Sequence, residues 1–436
     1  MPDVIVVTLD TTRADHLGIY GYPRATSPGI DRFAQDAVVY EHAWAAGAWT
    51  LPTHASILTG KHVSSHGARF NLDAADASLS EVFDGEFFAR HKASRLASEE
   101  VTLAELLARR GYATAAFAAG PWLAPPFGLL QGYQHRDAQM PGVEGRSAEE
   151  ITNRFIEWMS SLPEDQPLHA LVNYFDPHSP YAPPDGFDDL PHARDPLDPN
   201  QDELFVNGGA PLSEGQIAIL TDRYDGEIRY MDHHLQRLLA ALQRVGRYRD
   251  ALIILVGDHG ELLGERGVIG HGRWLYEGVL HVPLLVHFPG EVGAGRRESA
   301  PVSQVDLLPL VARELGLELP PGVEGVAPGE RDALLAEAYR DPFSVNSYGD
   351  RYDRDLVALL RWPWKLIESD RGEFELYRLD ADPLERDPVP DPARRDTLER
   401  ALAATRAALG PARAATPATG VGPELQESLR ALGYVE

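Results

Sequence analysis

The chain of 436 residues contains no cysteine. That absence excludes disulfides, thiolate metal sites and a cysteine nucleophile, and it is compatible with any redox compartment. Positive charge is also scarce: 40 Lys and Arg stand against 66 Asp and Glu, a formal net charge of −26. A general nucleic-acid binder needs a basic face, so there is no nucleic-acid-binding signal here. The same balance does not exclude an anionic substrate, because a metal ion or local cations dominate the potential inside a small site. No apolar run reaches the roughly 20 residues that a membrane helix needs. No basic segment followed by an apolar one opens the chain, which goes straight into MPDVIVVTLD. With Met1 as the natural start, the expectation is a cytoplasmic protein without a membrane span. A removed signal peptide would leave no trace, and oligomeric state is not indicated.

The length is enough for a large α/β domain and a smaller one. Val4 to Leu9 is a short β-branched run flanked by Asp3 and Asp10. A strand buried on both faces of a parallel sheet reads this way. Ala251 to Val256 has the same character and runs into Asp258, and Leu168 to Phe175 and Val282 to Phe288 are further candidates. Helical patterns lie between them. Thr102 is placed to cap a helix carrying Leu103, Leu106 and Leu107, with Gly111 as its stop. From Thr221 to Gly246, apolar residues from Tyr224 through Leu242 follow one helix face. Val305 to Leu315 reads as another helix, closed by Gly316. Strands alternating with helices predict a doubly wound, mostly parallel sheet. Ligands gather at the carboxyl ends of the strands of such a sheet, where Asp10, Asp176 and Asp258 sit.

Pro177 to Pro211 reads as a loop that borders a substrate entrance, and Asp84 to Glu100 as a polar segment with helical character. Beyond about residue 345 the texture changes. LVALLRWPWKLIES, a turn at Asp370 to Gly372 and FELYRL predict an antiparallel hairpin, followed by a helix from Arg395 to Leu409. The expected organisation is a catalytic domain over 1–345, a C-terminal antiparallel α+β subdomain over 346–410, and a linker with a terminal helix over 411–436.

Three blocks carry a resemblance: VVTLDTTRADHLGIYGY at 6–22, WTLPTHASILTG at 49–60, and VGDHGELLGERGVIGHGRWLYEGVLHVPLLVHFPG at 256–290. In order and spacing the set resembles the sulfatase branch of the alkaline phosphatase superfamily. ELYRLDADPLER and the closing LRALGYV are similar to that family's C-terminal part. The likeness spans nearly the whole chain and implies an alkaline-phosphatase-like α/β fold.

Hydrolysis of a phosphoryl or sulfuryl ester needs a nucleophile, stabilisation of charge at the transferring group and help for the leaving oxygen. Asp10 with Asp258 and His259 brings two carboxylates and an imidazole to neighbouring strand ends, and Thr50 completes the set. Such ligands suit a divalent cation; the imidazole favours Zn²⁺ or Mn²⁺ over Mg²⁺ or Ca²⁺. A cation and a helix N-terminus both favour the threonine alkoxide. Pro52 fits the first turn of the helix that Gly60 closes.

The resembling family usually carries Cys/Ser-x-Pro-Ser-Arg here, its first residue oxidised to formylglycine. This chain has Thr50, Leu51, Pro52, Thr53 and His54. Threonine cannot yield that aldehyde. A threonine ester must be opened by water at the transferred group, which phosphoenzymes permit more readily than sulfated ones. Threonine nucleophiles mark phosphodiesterase, phosphoglycerol-transferase and phosphoethanolamine-transferase relatives. Thr11 stands where sulfatases usually place a second aspartate. The resemblance thus implies Asp10, Thr50, Asp258 and His259 as metal ligands, and Asn71 and His54 at the substrate. His178 matches a histidine that contacts the transferred group, and His271 replaces a lysine that does the same. Two readings stay open for His271: it protonates the leaving oxygen, or it joins Asp176 and His178 around a second ion beside the single one expected. Asp176 is also a candidate for substrate contact.

The expected function is metal-dependent hydrolysis of a small-molecule phosphate mono- or diester, or a phosphonate ester, through phosphothreonine at Thr50. The alternatives are a sulfatase lacking formylglycine and an inactive relative that serves as a binding module. Singly, each residue has a structural reading, since an aspartate at a strand end more often caps a helix than binds a ligand.

Overall fold

The computed structural model describes residues 1–71, 77–83, 92–140, 145–196, 212–341, 344–345 and 349–410. Its centre is an eight-stranded sheet. In chain order the strands are β1 (Val4–Leu9), β2 (Val38–Tyr40), β3 (Ala113–Phe117), β4 (His135–Asp137), β5 (Leu168–Tyr174), β6 (Leu252–Gly257), β7 (Leu284–His287) and β8 (Arg297–Glu298). Across the sheet they run β8-β2-β7-β6-β1-β5-β3-β4. β1 lies parallel between β5 and β6, while β7 is antiparallel to both of its neighbours.

Alternation along β1 explains why every residue of its run is apolar or buried. Val4 and Val6 point into one core, and Ile5, Val7 and Leu9 into the other. The first core is covered by α1 (Thr50–Thr59), α2 (Leu103–Arg109) and, later in the chain, the helix Leu307–Leu315. The second is covered by α3 (Ala148–Ser161) and α4 (Glu214–Arg244). Thr102 caps α2 in a reciprocal box with Glu105. α4 begins at Glu214 rather than near the expected Thr221, because Ser213 and Gln216 form the same box seven residues earlier. Gly316 ends the helix Leu307–Leu315, α5, in the left-handed conformation.

A second sheet of four antiparallel strands follows: β9 (Leu334–Ala338), β10 (Leu356–Arg361), β11 (Trp364–Ser369) and β12 (Phe374–Arg378). The stretch LVALLRWPWKLIES is therefore two strands, not one arm of a hairpin. Pro363 cannot donate to a ladder, and the chain reverses there. The sheet also takes its first strand from 334–338, before the expected boundary at 345. One face packs Leu335, Leu359, Leu366 and Leu376 on Leu398 and Leu402 of α6 (Pro392–Ala408). The other joins the first core through Leu334, Ala336, Ala358 and Ile367.

The helical expectation for 84–100 is corrected over its described part. Lys92–Ser94 is a strand, pairing with Arg69–Phe70 and Ala77–Ser78, because ladder partners outweigh a weak helical preference. Residues 84–91, the end of the expected entrance loop at 197–211, and the expected linker and terminal helix at 411–436 lie outside the described residues. Among the described residues no helix is long and apolar enough to cross a membrane.

Candidate metal and nucleophile site

In the sheet register Leu9 sits beside Gly257, so the two residues that follow the strand ends, Asp10 and Asp258, stand side by side. Asp258 Oδ1 accepts from the backbone of His259 at 2.7 Å and of Thr11 at 3.2 Å. Thr11 reaches it from a left-handed conformation, φ 49°, with its carbonyl held by the Tyr224 hydroxyl at 2.7 Å. Asp258 Oδ2 and both oxygens of Asp10 are buried and among the described residues make no hydrogen bond of good geometry, although Thr50 and Asn173 approach Asp10 closely enough to favour its ionised form. His259 Nδ1 donates to the Gly260 carbonyl at 3.0 Å, which leaves Nε2 unprotonated, an acceptor aimed at the cluster. That nitrogen lies 3.6 Å from Asp10 Oδ1, 3.5 Å from Asp258 Oδ2 and 3.4 Å from Thr50 Oγ1.

These spacings fit a shared cation. Ligands at about 2.1 Å around a tetrahedral ion stand about 3.4 Å apart. Asp10, Asp258 and His259 are the one such ligand group among the described residues. Burial drives Asp10 well above the usual carboxylate range, and the charges of Asp258 and Glu261 push it further. Burial also raises Asp258 and holds His259 well below the usual imidazole range. Orphaned acidic oxygens with an unprotonated imidazole nitrogen are the donor set of a divalent cation, and the residues present fit one.

α1 begins at the nucleophile candidate. Trp49 is extended, Thr50 is the first helical residue, Pro52 fills the first turn, and Gly60 closes the helix at φ 67°. Thr50 is 3% exposed. His54, one turn on, is placed differently from expectation. It is fully buried, bonded through Nδ1 to the Thr50 carbonyl at 2.9 Å and through Nε2 to Thr8 Oγ1 at 3.0 Å. Burial lowers its pKa to about 4. Both nitrogens are used inside the protein, so the ring does not face a substrate.

Two more histidines stand beside the cluster. The His271 ring lies 4.4 Å from that of His259 and 5.1 Å from that of His178. His178 stacks on Phe175 at 4.2 Å, and burial together with the neighbouring His271 lowers its pKa to about 4. His271 Nδ1 pairs with Glu261 Oε1 at 2.9 Å. Asn71, half-buried, donates to Ser94 Oγ at 3.1 Å and follows Phe70, whose ring stacks on Trp49 at 3.8 Å.

Asp176 is not part of this group. Its Oδ2 accepts from the Ala148 backbone at 2.8 Å, at the start of α3, and burial raises its pKa to about 6. A second ion held by Asp176, His178 and His271 therefore finds no assembled ligand set. The carboxylate satisfies a helix N-terminus instead.

Glu261, Thr8 and Asn173 stand in the site without being among the residues expected there from the sequence. Glu261 is fully buried, with Oε2 unpartnered among the described residues, and its signal was its place two residues after His259 in DHGE. Thr8 and Asn173 pair across β1 and β5. Each is a polar interruption in a strand buried on both faces, which is a signal in itself.

A profile of the sulfatase family matches residues 2–317. The chain belongs to the sulfatase family. It is a metal-dependent ester hydrolase of that family. It is 21% identical over 445 residues to an arylsulfatase of Clostridium perfringens, covering 88% of this chain and 89% of the relative. Its fold is similar to that of a phosphonate monoester hydrolase of Agrobacterium radiobacter, with a TM-score of 0.73, 22% identity and coverage of 93% and 96% of the two chains. It is also similar to a protein solved in complex with its substrate D-glucosamine-2-N,6-O-disulfate, with a TM-score of 0.72, 20% identity and coverage of 93% and 97%.

Proposed function

We propose that this sulfatase-family protein hydrolyses phosphate mono- or diesters, or phosphonate esters, through a covalent phosphothreonine at Thr50. The observation that carries this reading is the position of Thr50 Oγ1, 3.4 Å from His259 Nε2 at the first residue of α1. The cation expected at Asp10, Asp258 and His259, Zn²⁺ or Mn²⁺ ahead of Mg²⁺ or Ca²⁺, supplies positive charge that offsets the buried carboxylates and favours the alkoxide. The N-terminal end of α1 adds to the same effect.

Thr50 Oγ1 attacks phosphorus; its bond to phosphorus forms as the bond to the leaving oxygen breaks. That oxygen takes its proton from His271, with His178 beside it. Water then attacks the phosphorus, giving a proton to the His271 ring that has just lost one, and the Thr50 ester opens to return Oγ1 as the alkoxide that attacked. Asn71 is assigned to a non-bridging oxygen of the substrate. The threonine hydroxyl sits on a carbon that also bears a methyl group, so it cannot become the aldehyde that lets formylglycine expel sulfate, and this directs the reading to phosphorus.

The sulfatase reading without formylglycine has one support of its own: relatives and structural neighbours include an arylsulfatase and a protein bound to a sulfated sugar. A substrate panel on metal-loaded protein separates the readings. The proposal expects turnover of p-nitrophenyl phosphate, bis-p-nitrophenyl phosphate or p-nitrophenyl phenylphosphonate, with the matching phosphoryl, p-nitrophenyl phosphoryl or phenylphosphonyl group trapped on the Thr50 peptide by rapid-quench mass spectrometry. Turnover confined to p-nitrophenyl sulfate would sink it in favour of the sulfatase. Inactivity on all four, with no metal bound, would leave the binding-module reading.

A further inference from the structure

Thr8, His54 and Asn173, each fully buried, form a hydrogen-bond chain whose direction can be read atom by atom. It starts on the backbone. The N–H groups of Ala119 and Gly120 both donate to Asn173 Oδ1, each at 3.0 Å, which settles which end of the amide is oxygen. Asn173 Nδ2 therefore donates to Thr8 Oγ1, at 3.2 Å. Thr8 keeps its own proton for His54 Nε2, at 3.0 Å. The last acceptor is the Thr50 carbonyl, which can only accept, so His54 Nδ1 carries the hydrogen across 2.9 Å. Each link has one polarity, and the ring is held in one tautomer.

We propose that this chain is a positioning device for the nucleophile, in which His54, aimed by Thr8 and Asn173, sets where the first turn of α1 places Thr50. The inference rests on Thr50 being the nucleophile of the proposed reaction. The need for such a device follows from helix physics. The first residues of a helix lack part of the backbone ladder and fray, so an attacking hydroxyl at that position has to be held by other bonds. Here the Thr50 carbonyl is held by the His54 ring and by the Thr53 hydroxyl at 3.0 Å. The His54 ring also lies 3.6 Å from Asp258 Oδ2. One side chain thus holds the nucleophile's turn beside the strand end that carries a cation ligand, and two strands of the central sheet hold that side chain in register. An arginine at 54 would offer only donors and could not take the Thr8 proton, so the direction of the chain requires the histidine.

Removing the Thr8 hydroxyl breaks the chain without touching any group at the reacting centre. With substrate and cation both present, Thr8→Val is expected to lower kcat by about 10- to 100-fold, the cost of a slightly misplaced attacking group. KM and metal affinity should stay unchanged, and Thr8→Ser, which keeps the hydroxyl, should recover most of the rate. Nitrogen-15 NMR of histidine-labelled wild-type protein should show His54 as the Nδ1–H tautomer; this measurement needs no variant to fold. A wild-type kcat in Thr8→Val, a Thr8→Ser as slow as the valine variant, or an Nε2–H tautomer at His54 would each overturn the proposal. Thr50→Ala, assayed alongside, separates the two levels. If it is inactive while Thr8→Val runs at full rate, the positioning role alone falls. If it is active, the nucleophile and the positioning role fall together.

Discussion

On one side of Thr50, Asp10 and Asp258 hold three carboxylate oxygens that are buried and make no hydrogen bond of good geometry among the described residues. On the other side, His54, Thr8 and Asn173 are buried just as deeply, and their bonds to one another and to the backbone are made. Leaving a buried polar atom unmet costs free energy, about 1–3 kcal/mol and more for a charged group. A fold tolerates that cost where something outside the chain meets the atom. Because these unmet oxygens cluster around the His259 ring, they mark the side that faces a ligand, and the met side is scaffold. The contrast also sorts the expected site residues: Asp176, capping α3, belongs with the scaffold.

The largest expected effect tests the residue on which both sides converge. Thr50→Ala should lower kcat/KM by about 10³-fold or more on the best substrate of the panel, with the metal still bound. Thr50→Ser should keep a measurable part of the rate. Next comes removal of the cation. Dialysis against a chelator should abolish turnover and lower the melting temperature, and both should return with added metal. At free metal of about 100 times Kd, the gain is about 2.7 kcal/mol. Asp258→Asn should remove this metal-dependent rise in Tm. A wild-type Tm indifferent to all four candidate cations would break the link between unmet atoms and ligand.

The third effect concerns His271. His271→Ala should cost about 10²-fold on an ester with an alkyl leaving group. The loss should be smaller on a p-nitrophenyl ester, whose leaving oxygen needs little help. Equal losses on the two would remove the assignment of His271 as the acid.

The last effect belongs to the scaffold and reads out in stability, leaving turnover untouched. His169 is buried and bonded to the Val4 carbonyl at 3.0 Å and to the Tyr133 hydroxyl at 3.2 Å. Burial lowers its pKa from 6.5 to about 4. Between those values the unfolded chain binds the proton and the folded one does not. The stabilisation is therefore fully present above pH 6.5 and is lost as pH falls through 4, amounting to about 3 kcal/mol. His169→Gln should flatten the acid limb of a denaturation series by about that amount. An unchanged acid limb would show that this ring is not held neutral.

Part of the site is readable from the chain because neighbours in the sheet share one rule. Strands buried on both faces read as continuous apolar runs, so Val4–Leu9 and Leu252–Gly257 stand out, and each is followed by an acidic residue at the end where ligands gather. The helix of Thr50 is legible from Pro52 and Gly60, which mark its first turn and its end. The partners of His54 are not, because they lie at sequence separations of 46 and, one link on, 165 residues. The pairing of Glu261 with His271 escapes for a related reason. It depends on a turn at Gly264–Gly267 that folds the short strand Ile269–Gly270 back onto Leu262–Leu263. The strand Leu334–Ala338 is not legible either, since its partners come later in the chain and its own run is only five residues.

Residue type and order alone determined the α/β architecture, the absence of any thiol chemistry and the acidic residues that follow two central strands, since periodicity and strand polarity are local properties of the chain; the full expected site set rested on the family likeness as well. Only the folded arrangement decided which buried groups are left without partners and which are satisfied. That turns on contacts between segments far apart in sequence, and no local pattern encodes where a distant acceptor will come to rest.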